Sequence, residues 1–176
     1  MLKRFPPLNE ILPVYAVVAA MAYGWNIFHF LWKVPSWLLF LSLGEILSLL
    51  SYALTAALSE SFLILAALLL AAFLLPETVL KRDFIVRATW LVVVAYGGIM
   101  LLLSLDASYG SWTRRYWNLF SALFFILAIL TAYASKSVAF LRSIALWLSD
   151  RLIVFLFILI PVSMISILAV IYRNHF

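Results

Sequence analysis

From Phe62 to Leu75 the chain runs without a single polar side chain. Runs of this kind constrain the fold more than anything else in the sequence. A hydrocarbon core about 30 Å thick is crossed by about 20 apolar residues of helix. Backbone groups in lipid find no water, so only helices and closed barrels cross. Barrel strands alternate apolar and polar residues, and these runs do not alternate. The sequence therefore predicts an all-α, polytopic helical membrane protein. A soluble domain is about half apolar and about a quarter charged. Here 68% of 176 residues are hydrophobic and 11% charged, so six spans fit and little else does.

The expected spans are 12–32, 36–58, 62–80, 86–105, 116–135 and 152–172, forming one transmembrane domain over 1–176. Trp32-Lys33 before Pro35 marks the first reversal, and Ser59-Glu60-Ser61 reads as a second, tight polar turn. The start, "MLKRFPPLNEILPVYAVVAAMA", has the charge order of a secretory leader and is read as the first transmembrane helix. Residues 136–150 carry polar side chains at 136–137, 142–143 and 149–150, a spacing that falls on one stripe of a helix. That pattern suits an amphipathic helix lying in the interface. The alternative is an extension of the last span beyond the bilayer.

Net charge is +5. The basic residues flank apolar runs, so anionic lipid headgroups are the expected partner and nucleic acid is not. Lys81, Arg82, Arg87, Arg114 and Arg115 are the expected headgroup contacts. With six spans, Lys and Arg favour placing both termini on the non-cytoplasmic side of a plasma or inner membrane. Cysteine is absent, which excludes disulfides and thiolate chemistry. No internal repeat of the kind found in many transporters is visible.

Glu45 is the one charged residue in the expected span 36–58. Counted from the 33–35 turn it would lie about 14 Å deep, near mid-membrane. A charge at that depth costs about 2.5–3.5 kcal/mol. Ser42, Ser48, Tyr52, Thr55 and Ser59 share its side of the helix, a polar stripe expected to face other helices. Tyr23 and Asn26 of the first span fall at similar depth and are the expected partners. Glu45, Asn26, Tyr23, Ser48 and Tyr52 thus form the candidate intramembrane polar site. It is either a proton or cation site or a protonated carboxyl that ties helices together. Ala16, Ala20 and Gly24 recur every four residues, a small-residue ridge for helix packing.

His29 is a candidate contact for a ligand or pigment, and an interfacial anchor otherwise. Most of the seven Trp lie near expected span ends, as an aromatic belt requires. No hydrolase, zinc or phosphate-loop motif is present, so no cofactor, metal or catalytic role is expected. The sequence points to a non-catalytic subunit that packs with other membrane proteins, or with copies of itself, in a larger complex. The alternative is a small proton- or cation-coupled transporter or channel component with Glu45 as the coupling carboxylate.

Overall fold

The computed structural model describes residues 6–77, 80, 82–110 and 115–175. Among the described residues the fold is all-helical: α1 (Leu8–Trp37), α2 (Leu43–Leu74), α3 (Phe84–Tyr109), α4 (Trp117–Ala134) and α5 (Ala139–His175). All five are long and apolar enough to cross a membrane.

The expected spans two and three are one helix. Ser59-Glu60-Ser61 lies inside α2 rather than in a turn. The reason is local. The segment contains no Gly or Pro, and Leu, Ala and Glu are strong helix formers. Each serine hydroxyl returns a hydrogen bond to its own helix, Ser59 to the Thr55 carbonyl at 3.0 Å and Ser61 to the Leu58 carbonyl at 2.7 Å. Polar side chains of this kind do not by themselves open a turn.

The first reversal also comes later than the sequence suggests. Pro35 sits within the last turn of α1, which continues to Trp37. The chain turns over 38–41, where the Leu41 N–H bonds the Trp37 carbonyl at 2.8 Å. Ser42 then caps α2. At the other end, the segment expected as a separate interfacial helix is the first third of α5. After a turn at 135–138, α5 runs unbroken from Ala139, and Ala145 and Ser149 are buried against the protein. The helix passes Asp150-Arg151 because neither residue breaks it. Pro161 lies deeper in the same helix and removes one rung of its hydrogen-bond ladder.

The bundle is built around α1, which packs against α2, α3 and α5. Val14 and Val18 of α1 meet Leu68 and Ala72 of α2 and Phe84, Ala88 and Val92 of α3. Tyr15, Ala16, Ala19 and Tyr23 meet Leu54 and Ala57 of α2 and Leu156 of α5. α4 is peripheral: it joins the bundle through α3, and only Ala128 and Ala132 of it are buried.

Contacts at the ends give the helix directions. Asp83, before α3, pairs with Arg142 near the start of α5, and Val14 and Phe84 share a core cluster near the starts of α1 and α3. Tyr52 of α2 bonds Asn174 at the end of α5. Leu8 and His175 therefore stand at opposite ends of the bundle. The expectation of both termini on one side followed from six spans, and the described residues form five helices of spanning length.

Candidate functional site

A half-buried polar centre does lie in the helix bundle, but its carboxylate is Glu60. Glu60 is about 26 Å from the start of α2 and about 21 Å from its end, counted along the helix. Its Oε2 accepts from Asn26 Nδ2 of α1 at 3.1 Å. Its Oε1 accepts from the Tyr96 hydroxyl of α3 at 2.7 Å. Asn26 Nδ2 also donates to the Ala22 carbonyl at 2.9 Å. Three helices thus meet on one side chain. Two further hydroxyl pairs flank it: Tyr15 with Ser61 at 3.4 Å, and Tyr23 of α1 with Ser163 of α5. Interhelical hydrogen bonds in membranes are worth about 0.6–2 kcal/mol each, so this set fixes helix registry as much as it adds stability.

Of the polar site expected from sequence, Asn26 belongs to this centre and Tyr23 is buried beside it, on Ser163. Glu45 does not join them. It is exposed at the third position of α2, where it completes a capping box. Its Oε2 accepts from the Ser42 N–H and hydroxyl, both at 2.8 Å, while the Glu45 N–H donates to Ser42 Oγ at 3.4 Å. Mid-membrane depth was an artefact of starting the helix seven residues early. The polar stripe after it turns inward on α2 itself: Ser48 donates to the Gly44 carbonyl, and Thr55 to that of Ser51. Tyr52 reaches α5, donating to Asn174 Oδ1 at 2.8 Å.

The Ala16, Ala20, Gly24 ridge is not one interface. Ala16 is buried in the core, Ala20 is half-buried, and Gly24 is exposed with open space at its Cα. The buried small positions of α1 are Ala16, Ala19 and Ala22. His29 is exposed and edge-on to the Trp25 and Phe28 rings, at 4.1 and 5.6 Å between centroids. Among the headgroup candidates, Arg82 and Arg115 are exposed, and Lys81 and Arg114 lie outside the described residues. Arg87 is only 3% exposed, its guanidinium 5.8 Å from the Tyr133 ring centre. The burial of Arg87 was not legible from its position near a span end.

Beside the polar centre lies a cleft of about 730 Å³ between α2, α3 and α4. Ile64, Ala67 and Ala71 form its α2 wall, Leu91 and Ala95 line α3, and Phe125 and Ile129 line α4. Tyr96 lines it too, so the cleft backs onto the Glu60 centre through one hydroxyl. Phe125, Ile129 and Tyr133 are exposed along its outer edge. The volume falls within the range of about 300–1,000 Å³ that small-molecule sites occupy. At the end nearest the α2–α3 connection, Tyr133 borders Arg87. There Asp83, Val86, Arg87, Ser135, Lys136 and Arg142 pack closely together.

Searches against known protein families, curated proteins and solved structures find no match to this chain. Among the described residues, no group of three or more His, Cys, Asp or Glu side chains is placed to hold a metal.

Sequence reasoning missed Glu60 because "SES" between two apolar runs was taken for a reversal. The usable signal was the lack of any breaker from Glu45 to Leu74.

Proposed function

We propose that this protein is a non-catalytic integral membrane subunit, a five-helix scaffold that binds within the bilayer as part of a larger membrane assembly. The observation that carries this reading is the lateral cleft. α4 leans on α3 and faces α2 across a wide apolar gap, which lipid or another subunit must fill because lipid-facing protein leaves no voids of that size. The Glu60 centre holds α1, α2 and α3 in register behind the cleft. The test is extraction from native membranes in mild detergent, a native gel, and mass spectrometry of what migrates with the chain. Stoichiometric co-migration with larger membrane proteins supports the subunit reading; migration alone refutes it.

Five traverses reverse the expected orientation. Counted along the sequence, Lys3, Arg4, Lys81, Arg82, Arg87, Lys136 and Arg142 belong to the end that carries the N-terminus. Lys33, Arg114, Arg115 and Arg173 belong to the other, and Arg151 stands further along α5. The excess of basic residues favours a cytoplasmic N-terminus and a C-terminus on the far side.

A second reading has one observation in its favour. An ionisable group held mid-helix among three helices is a natural site for proton or cation coupling. In that case Glu60, rather than Glu45, is the coupling carboxylate. Proton- or cation-driven uptake into proteoliposomes that is lost in Glu60→Gln supports this reading, and unchanged uptake sinks it.

A further inference from the structure

We infer that a hollow between the first turns of α1, α3 and α5 binds an organic ammonium group, held between the Asp150 carboxylate and the Trp147 indole. It is separate from the α2–α3–α4 cleft and from the Glu60 centre. The hollow measures about 490 Å³, within the range of about 300–1,000 Å³ of small-molecule sites. Pro13 of α1, Ile85 of α3 and Leu146 of α5 give it apolar walls, and Ser143, Trp147 and Asp150 of α5 give it a polar side. Trp147 and Asp150 are three residues apart, so they are neighbours on one helix face. Asp150 is exposed, and Trp147 keeps 61% of its surface open. Among the described residues, neither side chain has a hydrogen-bond, ion-pair or ring partner.

The ligand is chosen by charge and by the ring. A carboxylate without a counter-charge attracts a cation, and an indole face attracts one within about 6 Å of its centre. A bare divalent ion asks for several oxygen ligands. Among the described residues lining the hollow, Asp150 is the one carboxylate. An ammonium that carries carbon substituents uses the ring and the apolar walls as well. The nearby arginines do not take its place. Arg142 is held by Asp83 at 3.1 Å, and Arg151 leaves α5 about 100° round the helix from Asp150. Glu10, one turn before Pro13 on α1, stands close enough to Asp83 for the two carboxylates to repel. The depth suits a lipid headgroup. No charged residue occurs from Leu152 to Tyr172, a stretch that fills a hydrocarbon core about 30 Å thick. Asp150 therefore stands at its edge, where headgroup ammonium groups lie and where a soluble amine also arrives from water.

The test uses the whole chain in maltoside micelles, isotope-labelled at the tryptophan indole nitrogens and followed by NMR. The Trp147 signal is identified by its loss in Trp147→Phe. The probes are tetramethylammonium chloride and a short-chain phosphatidylcholine, against sodium chloride and phosphatidylglycerol of the same chain length. The Trp147 signal should shift saturably with an ammonium probe and not with its control, while the other indole signals stay in place. Saturation by both probes assigns the site to organic ammonium compounds at large; saturation by phosphatidylcholine alone assigns it to the lipid headgroup. Asp150→Asn should weaken binding about three- to fivefold, the effect of one exposed charge or ring contact, and Asp150→Lys should abolish it. Both changes are at an exposed position and should leave the remaining signals unchanged. The inference is overturned if neither ammonium probe saturates, if the controls shift Trp147 equally, if all indole signals move alike, or if Asp150→Asn binds as tightly as the parent.

Discussion

Gly98 is the narrowest point in the attachment of α4, and replacing it gives the sharpest test of the bundle. A Cβ on Gly98 would stand 2.5 Å from Phe124 Cγ, 2.6 Å from Cδ1 and 2.8 Å from Cβ. Favourable carbon contacts lie at about 3.5–4.0 Å, so the deficit is about 1 Å. Rotating the Phe124 ring relieves only part of it, because Phe124 Cβ is fixed to the α4 backbone. α4 must therefore move away from α3, its main partner. Overpacking of this kind costs about 1–3 kcal/mol. The gain in helix propensity from Gly to Ala returns up to about 1 kcal/mol. Two internal controls carry the same propensity gain without the clash. At Gly97 the nearest atom is Met21 Cε at 3.7 Å, and at Gly24 there is open space. Gly98→Ala should unfold with about 1–3 kcal/mol less free energy in mixed micelles than the two controls, which is about 0–2 kcal/mol below the parent. Gly97→Ala and Gly24→Ala should match or exceed the parent. Denaturant titration of the three variants decides the matter. If Gly98→Ala is as stable as Gly24→Ala, the close α3–α4 packing described here is wrong.

Other expectations follow from the same contacts. Glu60→Leu leaves the Tyr96 hydroxyl without its acceptor and should destabilise the fold by about 1–3 kcal/mol. Glu60→Gln should stay within about 1 kcal/mol, since its amide can accept from Asn26 and donate to Tyr96; equal losses in the same titration would deny the centre its hydrogen-bonding role. Ser42→Ala removes the α2 cap and should cost about 1 kcal/mol; no change in unfolding midpoint would mean the 38–42 turn is held by other contacts. The chain has no cysteine, so single cysteines report topology cleanly. In sealed right-side-out vesicles, His175→Cys should react with an impermeant maleimide, and Asn9→Cys only after permeabilisation. Reaction of both from the same side would contradict five traverses.

What the sequence determined by itself is the solvent and the class of fold. Runs such as Phe62–Leu75 have only one low-energy solution in lipid, a helix that satisfies its own backbone. The extent of α4 followed from the same logic to within a residue at each end, while α3 runs four residues past its expected end at 105, through Asp106 to Tyr109. The sequence also marked Asn26 and Tyr23 as polar partners on α1, and both make interhelical bonds, though not to Glu45.

The position of the carboxylate that joins three helices was decided only by tertiary structure. Glu45 and Glu60 look alike when read along the chain, each a lone carboxylate with serines within three residues on both sides and apolar runs beyond. The difference lies in where the helix begins. Ser42 takes up Glu45 in a cap, so that carboxylate is spent on the helix end. Glu60 has no local use, and Asn26 and Tyr96 reach it from helices 34 and 36 residues away in sequence. Pairings of that span depend on which helices become neighbours. So does the cleft: α2, α3 and α4 each carry an ordinary lipid-compatible face, and only their spacing leaves a gap.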